Sequence, residues 1–175
     1  MTGDLDFDLL AQPETDELQE LEVPAGELHL RFQLTSGTEL AFAAAGIAEV
    51  MSVSAEQITS MPNVSPLLLG ALNFRGKVIW VADLGQFLGD SQPLNSDRND
   101  LPILAITDGQ ETVLAVAVQT IVGMEWLEKN SLQPSEDCPE EMAPFVQGEW
   151  GSPDAEQSLR LLDPGSIIRS SRWVT

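Results

Sequence analysis

Positive charge is scarce in this 175-residue chain: 8 Lys and Arg stand against 28 Asp and Glu, a formal net charge of −20. Affinity for phosphate backbones comes from clustered Lys and Arg, so no nucleic-acid partner is expected. The same balance disfavours adhesion to an anionic membrane surface. Cysteine is almost absent, and Cys138 alone closes no internal disulfide, so nothing points to an oxidising compartment. The first residues show no basic stretch followed by an apolar one, and no secretory signal is expected. The most apolar stretch, 40–51, is interrupted by Glu49 and is too short to span a bilayer. A cytoplasmic protein without direct membrane insertion is the expectation.

Catalytic parts are scarce too. His29 is the single histidine and Tyr is missing, so a histidine-based zinc site is excluded. Neither GxxxxGK[ST] nor GxGxxG occurs, which removes the usual phosphate-cradling loops. Cys138 lies among Glu136, Asp137, Glu140 and Glu141, a loop without the Asp-x-Asp-x-Asp-Gly spacing of a calcium site. A carboxylate pair such as Glu39 and Glu111 has no further group assembled around it. The expectation is a non-catalytic binding module with no metal and no cofactor.

What is present falls into two regions. Residues 1–27 hold nine of the acids and no Lys or Arg, with Leu5, Phe7, Leu9, Leu10, Leu18 and Leu21 among them. Self-repulsion predicts an extended or disordered acidic tail. From Leu28 onward, short β-type runs alternate with turn residues. Strands are expected near 28–34, 39–45, 47–53, and on both sides of a tight turn at Gly76. Asp83 is an expected N-cap for a helix closed by Gly89. Residues 90–100 read as a polar linker.

The second part repeats this grammar. Strands are expected over 101–107, 112–118, 121–127, 145–150 and 159–162, then a helix over 163–170 with Pro164 in its first turn. Thr35-Ser36-Gly37 matches Thr107-Asp108-Gly109, and Asp83-Leu84-Gly85 matches Asp163-Pro164-Gly165. Matched landmarks in one order predict an internal duplication. The expected fold is mainly β: two five-stranded barrel subdomains, about 28–90 and 101–162, packed on each other with short helices. Closure into barrels would remove exposed strand edges.

The segment Gly70-Ala71-Leu72-Asn73-Phe74-Arg75-Gly76-Lys77-Val78-Ile79-Trp80-Val81-Ala82-Asp83-Leu84 concentrates two of the eight basic residues. Gly76 supplies the positive φ of a tight turn, and Arg75 is placed to pair with a carboxylate, Glu49 being the natural candidate. Trp80 alternates with Ile79 and Val81 and is expected to be buried. Asn73 is either a specific backbone-bonding residue or an ordinary turn asparagine.

This pattern, Gly-x-x-Asn-x-Arg-Gly-x-Val-x-x-Val-x-Asp-Leu, resembles the signature of CheW-like domains, the adaptors of bacterial chemotaxis-type pathways. Ala48-Glu49-Val50 and Met61-Pro62 fall where that family has its own landmarks. The resemblance covers about 28–168 and implies two packed β subdomains without catalysis. It implies a scaffold joining the regulatory domain of a CheA-type histidine kinase to the cytoplasmic tip of a methyl-accepting chemoreceptor. The receptor tip would dock in an apolar groove between the subdomains. The matching positions are Glu49, Val50, Asn73, Arg75 and Gly76. A Glu–Arg pair serves the interface or holds the shape of the first subdomain. Phe74, Trp80 and Gly85 depart from the family's usual Leu, Pro and basic residue. Flagellar and type IV pilus motility both stay open as outputs. The alternative is a solitary CheW-like regulator that sequesters kinase or receptor without coupling them.

Overall fold

The structure is a computed structural model that describes residues 26–151 and 158–173. The acidic segment therefore lies outside the described residues except for Gly26 and Glu27. The fold is mainly β, with ten strands in two five-stranded sheets. In chain order they are β1 (Glu27–Gln33), β2 (Glu39–Ala43), β3 (Ile47–Val53), β4 (Leu68–Phe74) and β5 (Lys77–Asp83). Then come β6 (Leu101–Thr107), β7 (Val113–Ala117), β8 (Thr120–Leu127), β9 (Val146–Trp150) and β10 (Leu159–Leu162). Two short helices, α1 (Leu84–Phe87) and α2 (Pro164–Ile168), follow β5 and β10.

One sheet has the order β8-β1-β2-β10-β9 and the other β3-β6-β7-β5-β4. Advancing each strand of the second order by five, cyclically, reproduces the first. Both parallel pairs obey the same rule, β5 with β7 and β10 with β2. The duplication expected from the turn landmarks is thus present in the topology.

The sheets do not coincide with the segments 28–90 and 101–162. The second sheet is built continuously from Ile47 to Ala117, and the first is assembled from the strands on either side of it. The 90–100 linker joins β5 to β6 within one sheet rather than separating two units. The chain crosses between sheets at Ala44–Gly46 and at 118–119. At the second crossing, the Val118 N–H donates to the Pro102 carbonyl of one sheet and the Gln119 N–H to the Gln33 carbonyl of the other. Strand patterns say which segments are extended; they do not say which distant edge completes a sheet.

Neither sheet is closed by a continuous ladder. The gap between the edge strands β3 and β4 is spanned by the segment after β3, where Thr59 pairs with Ala71. Between β8 and β9 the same place is filled by Gln133, paired with Glu149. The expected closed barrels are therefore curled sheets with one isolated bridge apiece.

Burial explains the apolar density of the central strands. Leu101 and Ile103 of β6 pack with Leu72, Val81, Leu94 and Ala115 inside the curl of the second sheet. Leu104 and Ile106 point the other way, into a core shared with Leu30, Phe32, Phe42, Phe87 and Phe145. A strand covered on both faces needs apolar residues at both parities. The helices are capped as the sequence predicts: the Asp83 carboxylate accepts from the Gln86 N–H and the Asp163 carboxylate from the Gly165 N–H. Residues 66–69, where Pro66 and three leucines could make one helical turn, instead form a turn at 66–67 and the start of β4 at Leu68.

Candidate functional site

The hairpin between β4 and β5 is the tightest turn near the signature. Phe74 faces Lys77 in the register, leaving Arg75 and Gly76 as the two turn residues. Both have positive φ, 51° and 79°. This is the type I′ geometry that right-twisted strands favour and that normally takes Asn-Gly. Gly76 meets the requirement freely; an arginine in the left-handed region is unusual and disfavoured by its Cβ. The Arg75 guanidinium carbon lies 4.9 Å from the centre of the Phe74 ring.

Among the described residues, no ion pair joins Arg75 to Glu49. Glu49 is exposed on β3, an edge strand, opposite Ala105 of β6. Arg75 is at the far edge of the same sheet, beyond β6, β7 and β5. The expected Glu49–Arg75 pair is absent: Glu49 and Arg75 lie on opposite sides of the gap between β3 and β4, and the guanidinium lies over Phe74 instead. Val50 is exposed beside Glu49, at 45%. Asn73 is exposed on β4, opposite Val78.

Trp80, expected inside, is 41% exposed, and Val78 on the same strand is 76% exposed. Ile79 and Val81 take the inward positions, and Val81 is fully buried. Alternation correctly separated Trp80 from its neighbours but assigned the parity the wrong way round.

Trp80 also walls an apolar groove of about 420 Å³, with Leu68, Val113, Leu114, Ile168 and Trp173. The groove lies between the second sheet and the C-terminal segment. That segment is anchored on α1: the Trp173 ring stacks on Phe87 at 4.3 Å, and its indole N–H donates to the Ile167 carbonyl. Arg172 donates to the Phe87 carbonyl at 2.8 Å and lies over the Phe145 ring.

A second apolar surface escaped the sequence argument. On β8, Val122, Met124 and Trp126 are 48%, 51% and 43% exposed. They occupy successive outward positions on an edge strand. The other parity holds Ile121, Gly123, Glu125 and Leu127, and side-chain alternation does not say whether a strand lies at an edge. The offset that takes Gly37 to Gly109 takes Val50 to Val122, so β3 and β8 are equivalent edges of the two sheets.

Behind β8, Arg31 spans three strands. Its guanidinium donates to Glu125 on β8 and to Glu39 on β2, both at 2.6 Å. Hydrogen bonding to Arg31 holds the Glu39 carboxyl below its ordinary range, against partial burial. Glu39 is thereby occupied by a structural pair, while Glu111 is exposed in the β6–β7 turn of the other sheet. Asp83 is the opposite case: burial pushes its carboxyl up, opposed by the N–H groups of Leu94 and Gln86. No cluster of three His, Cys, Asp or Glu suited to a metal occurs among the described residues.

A family model described as the CheW-like domain matches residues 29–172. The chain belongs to the CheW-like family. The crystal structure of the scaffolding protein TtCheW from Thermoanaerobacter tengcongensis superposes with a TM-score of 0.69. The match covers 84% of this chain and 95% of that one at 20% identity, so it shows the shared fold. No curated protein matches the chain. The signature of this CheW-like chain leaves Asn73, Arg75, Gly76 and Val78 on the surface and buries Val81, Asp83 and Leu84. No described helix is long and apolar enough to cross a membrane.

Proposed function

We propose that this protein is a non-catalytic scaffold that couples a chemoreceptor tip to a CheA-type histidine kinase in a chemotaxis-type pathway. One observation carries the reading: two equivalent strand edges, β3 and β8, lie exposed on different sheets. A bridging protein needs two such faces. Apolar side chains on a rigid strand lose little conformational entropy on docking, and a Trp such as Trp126 is a typical anchor. The Trp80–Trp173 groove is concave and apolar, suited to the apolar face of a helical hairpin. Glu49, Val50, Asn73, Arg75 and Gly76 are proposed to contact or shape these surfaces. Glu49 and Arg75 act separately, since no ion pair joins them.

Titration calorimetry tests this with the regulatory domain of a CheA-type kinase and, separately, a receptor-tip fragment. Each is expected to bind saturably, and each to bind the complex already formed with the other. Mutual exclusion would favour the sequestering regulator. Absence of binding to either at about millimolar concentration would overturn the scaffold assignment for those partners.

A further inference from the structure

The hairpin tip carries an unneutralised pair of cations beside exposed apolar surface. Arg75 and Lys77 are exposed and form no salt bridge among the described residues. Of the other six basic residues, Arg31, Arg98 and Lys129 each hold a carboxylate, while Arg160 and Arg172 donate to a hydroxyl or to carbonyls instead. Val78 and Trp80 extend from the cations toward the groove. A ligand for this face needs carboxylates interleaved with apolar side chains.

The chain supplies such a segment. Asp4-Leu5-Asp6-Phe7-Asp8-Leu9-Leu10 alternates acid and apolar residues. Residues 1–25 hold 8 acids and no Lys or Arg. The whole chain's −20 less these 8 leaves −12 on the remainder, so most of the surface repels the segment. The Arg75–Lys77 tip is a local exception, and short-range attraction outlasts the screened repulsion beyond a Debye length of roughly 8 Å at physiological salt. Reach is sufficient: the 18 residues from Asp8 to Gly26 extend to about 60 Å at ~3.3 Å per residue. A domain of this size has a radius of gyration of about 15 Å.

We infer that residues 4–10 occupy the Arg75–Lys77 tip and the adjoining Val78–Trp80 face of their own chain. Phe7 and its leucines cover the apolar strand face, and Asp6 and Asp8 neutralise the cations. A tether of this length gives an effective concentration in the millimolar range, so weak intrinsic contacts suffice for occupancy. The segment would then compete with any partner that takes the groove beside Trp80. The inference does not depend on which partner that is.

The test uses the full chain, labelled with nitrogen-15. Wild type is compared with the variant Asp4→Asn/Asp6→Asn/Asp8→Asn/Phe7→Ser, in which only the segment is altered. The expected result is a shift of the Gly76 and Val78 amides and of the Trp80 indole N–H, unchanged on dilution. Raising salt in wild type should move the same signals in the same direction. In the reciprocal variant Lys77→Glu, the Phe7 and Leu9 amides should move toward random-coil positions. Hairpin signals identical in wild type and in the segment variant would overturn the inference. A difference that disappears on dilution would also overturn it, by assigning the segment to a second copy.

Discussion

Gly70 and Gly148 occupy equivalent positions in the two sheets, each pressed against a carbonyl that bridges a sheet gap. A Cβ on Gly148 would fall 2.7 Å from the Gln133 carbonyl oxygen, and one on Gly70 would sit still closer to that of Thr59. The next residues, Ala71 and Glu149, make the reciprocal backbone bonds of the bridges, Ala71 with Thr59 and Glu149 with Gln133. Gly70 also has φ +150°, which other residues rarely adopt. Gly70→Ala should cost about 2–4 kcal/mol, through backbone strain and a clash with rigid main chain. Gly148→Ala should cost less, because its φ is not in the restricted region. Urea unfolding of the two variants checks the order.

The Arg75-Gly76 turn separates shape from contact. Asn tolerates the left-handed region better than Ala, so Arg75→Asn should be more stable than Arg75→Ala by about 1 kcal/mol. If the guanidinium touches a partner, both variants should lose affinity in calorimetry. If the turn's shape is what matters, Arg75→Asn should bind like wild type and only Arg75→Ala should weaken.

Trp126 and Trp80 are surface residues whose removal should be felt in binding rather than folding. Trp126→Ser and Trp80→Ser should each leave unfolding free energy within about 1 kcal/mol of wild type. If these rings anchor partners, association should fall by roughly thirtyfold or more, the effect of a 2 kcal/mol hot spot. Loss of binding with Trp126→Ser only for the kinase domain, and with Trp80→Ser only for the receptor fragment, would assign the two surfaces.

Asp83 and Glu39 should contribute to the pH dependence of stability with opposite signs. Burial raises the Asp83 carboxyl above its ordinary 3.8 in the folded state. Its contribution is therefore greatest below 3.8 and declines as pH rises through the folded value. Arg31 lowers the Glu39 carboxyl below 4.5. Its contribution is present above 4.5 and is lost as pH falls through the folded value. Chemical denaturation across the acid range should show wild type losing ground to Asp83→Asn as pH rises, and to Glu39→Gln as pH falls.

The candidate site was legible where chemistry is local. The tight turn at Arg75-Gly76 and the cap at Asp83 follow from backbone requirements within a few residues. The Glu49–Arg75 pair failed because the direction a turn side chain takes is set by its surroundings: the Arg75 guanidinium lies over the Phe74 ring. Trp80 failed for a related reason: alternation defines two faces and is silent on which one is covered.

The sequence by itself determined the ten extended segments, the two Asp-capped helices, the duplication and the family signature. The segments and caps depend on side-chain period, turn geometry or short-range hydrogen bonding, which act within about ten residues, and the duplication and the signature are repeats and spacings of those same local signals. Tertiary structure alone decided that β1 and β2 join β8, β9 and β10, with the second sheet inserted between them. It also decided that β3 and β8 are left as edges and that Trp80 faces outward. Pairing distant strands is settled by long-range contacts, such as Arg31 reaching Glu125 and Phe87 packing on Phe145, whose partners are set by how the whole core closes.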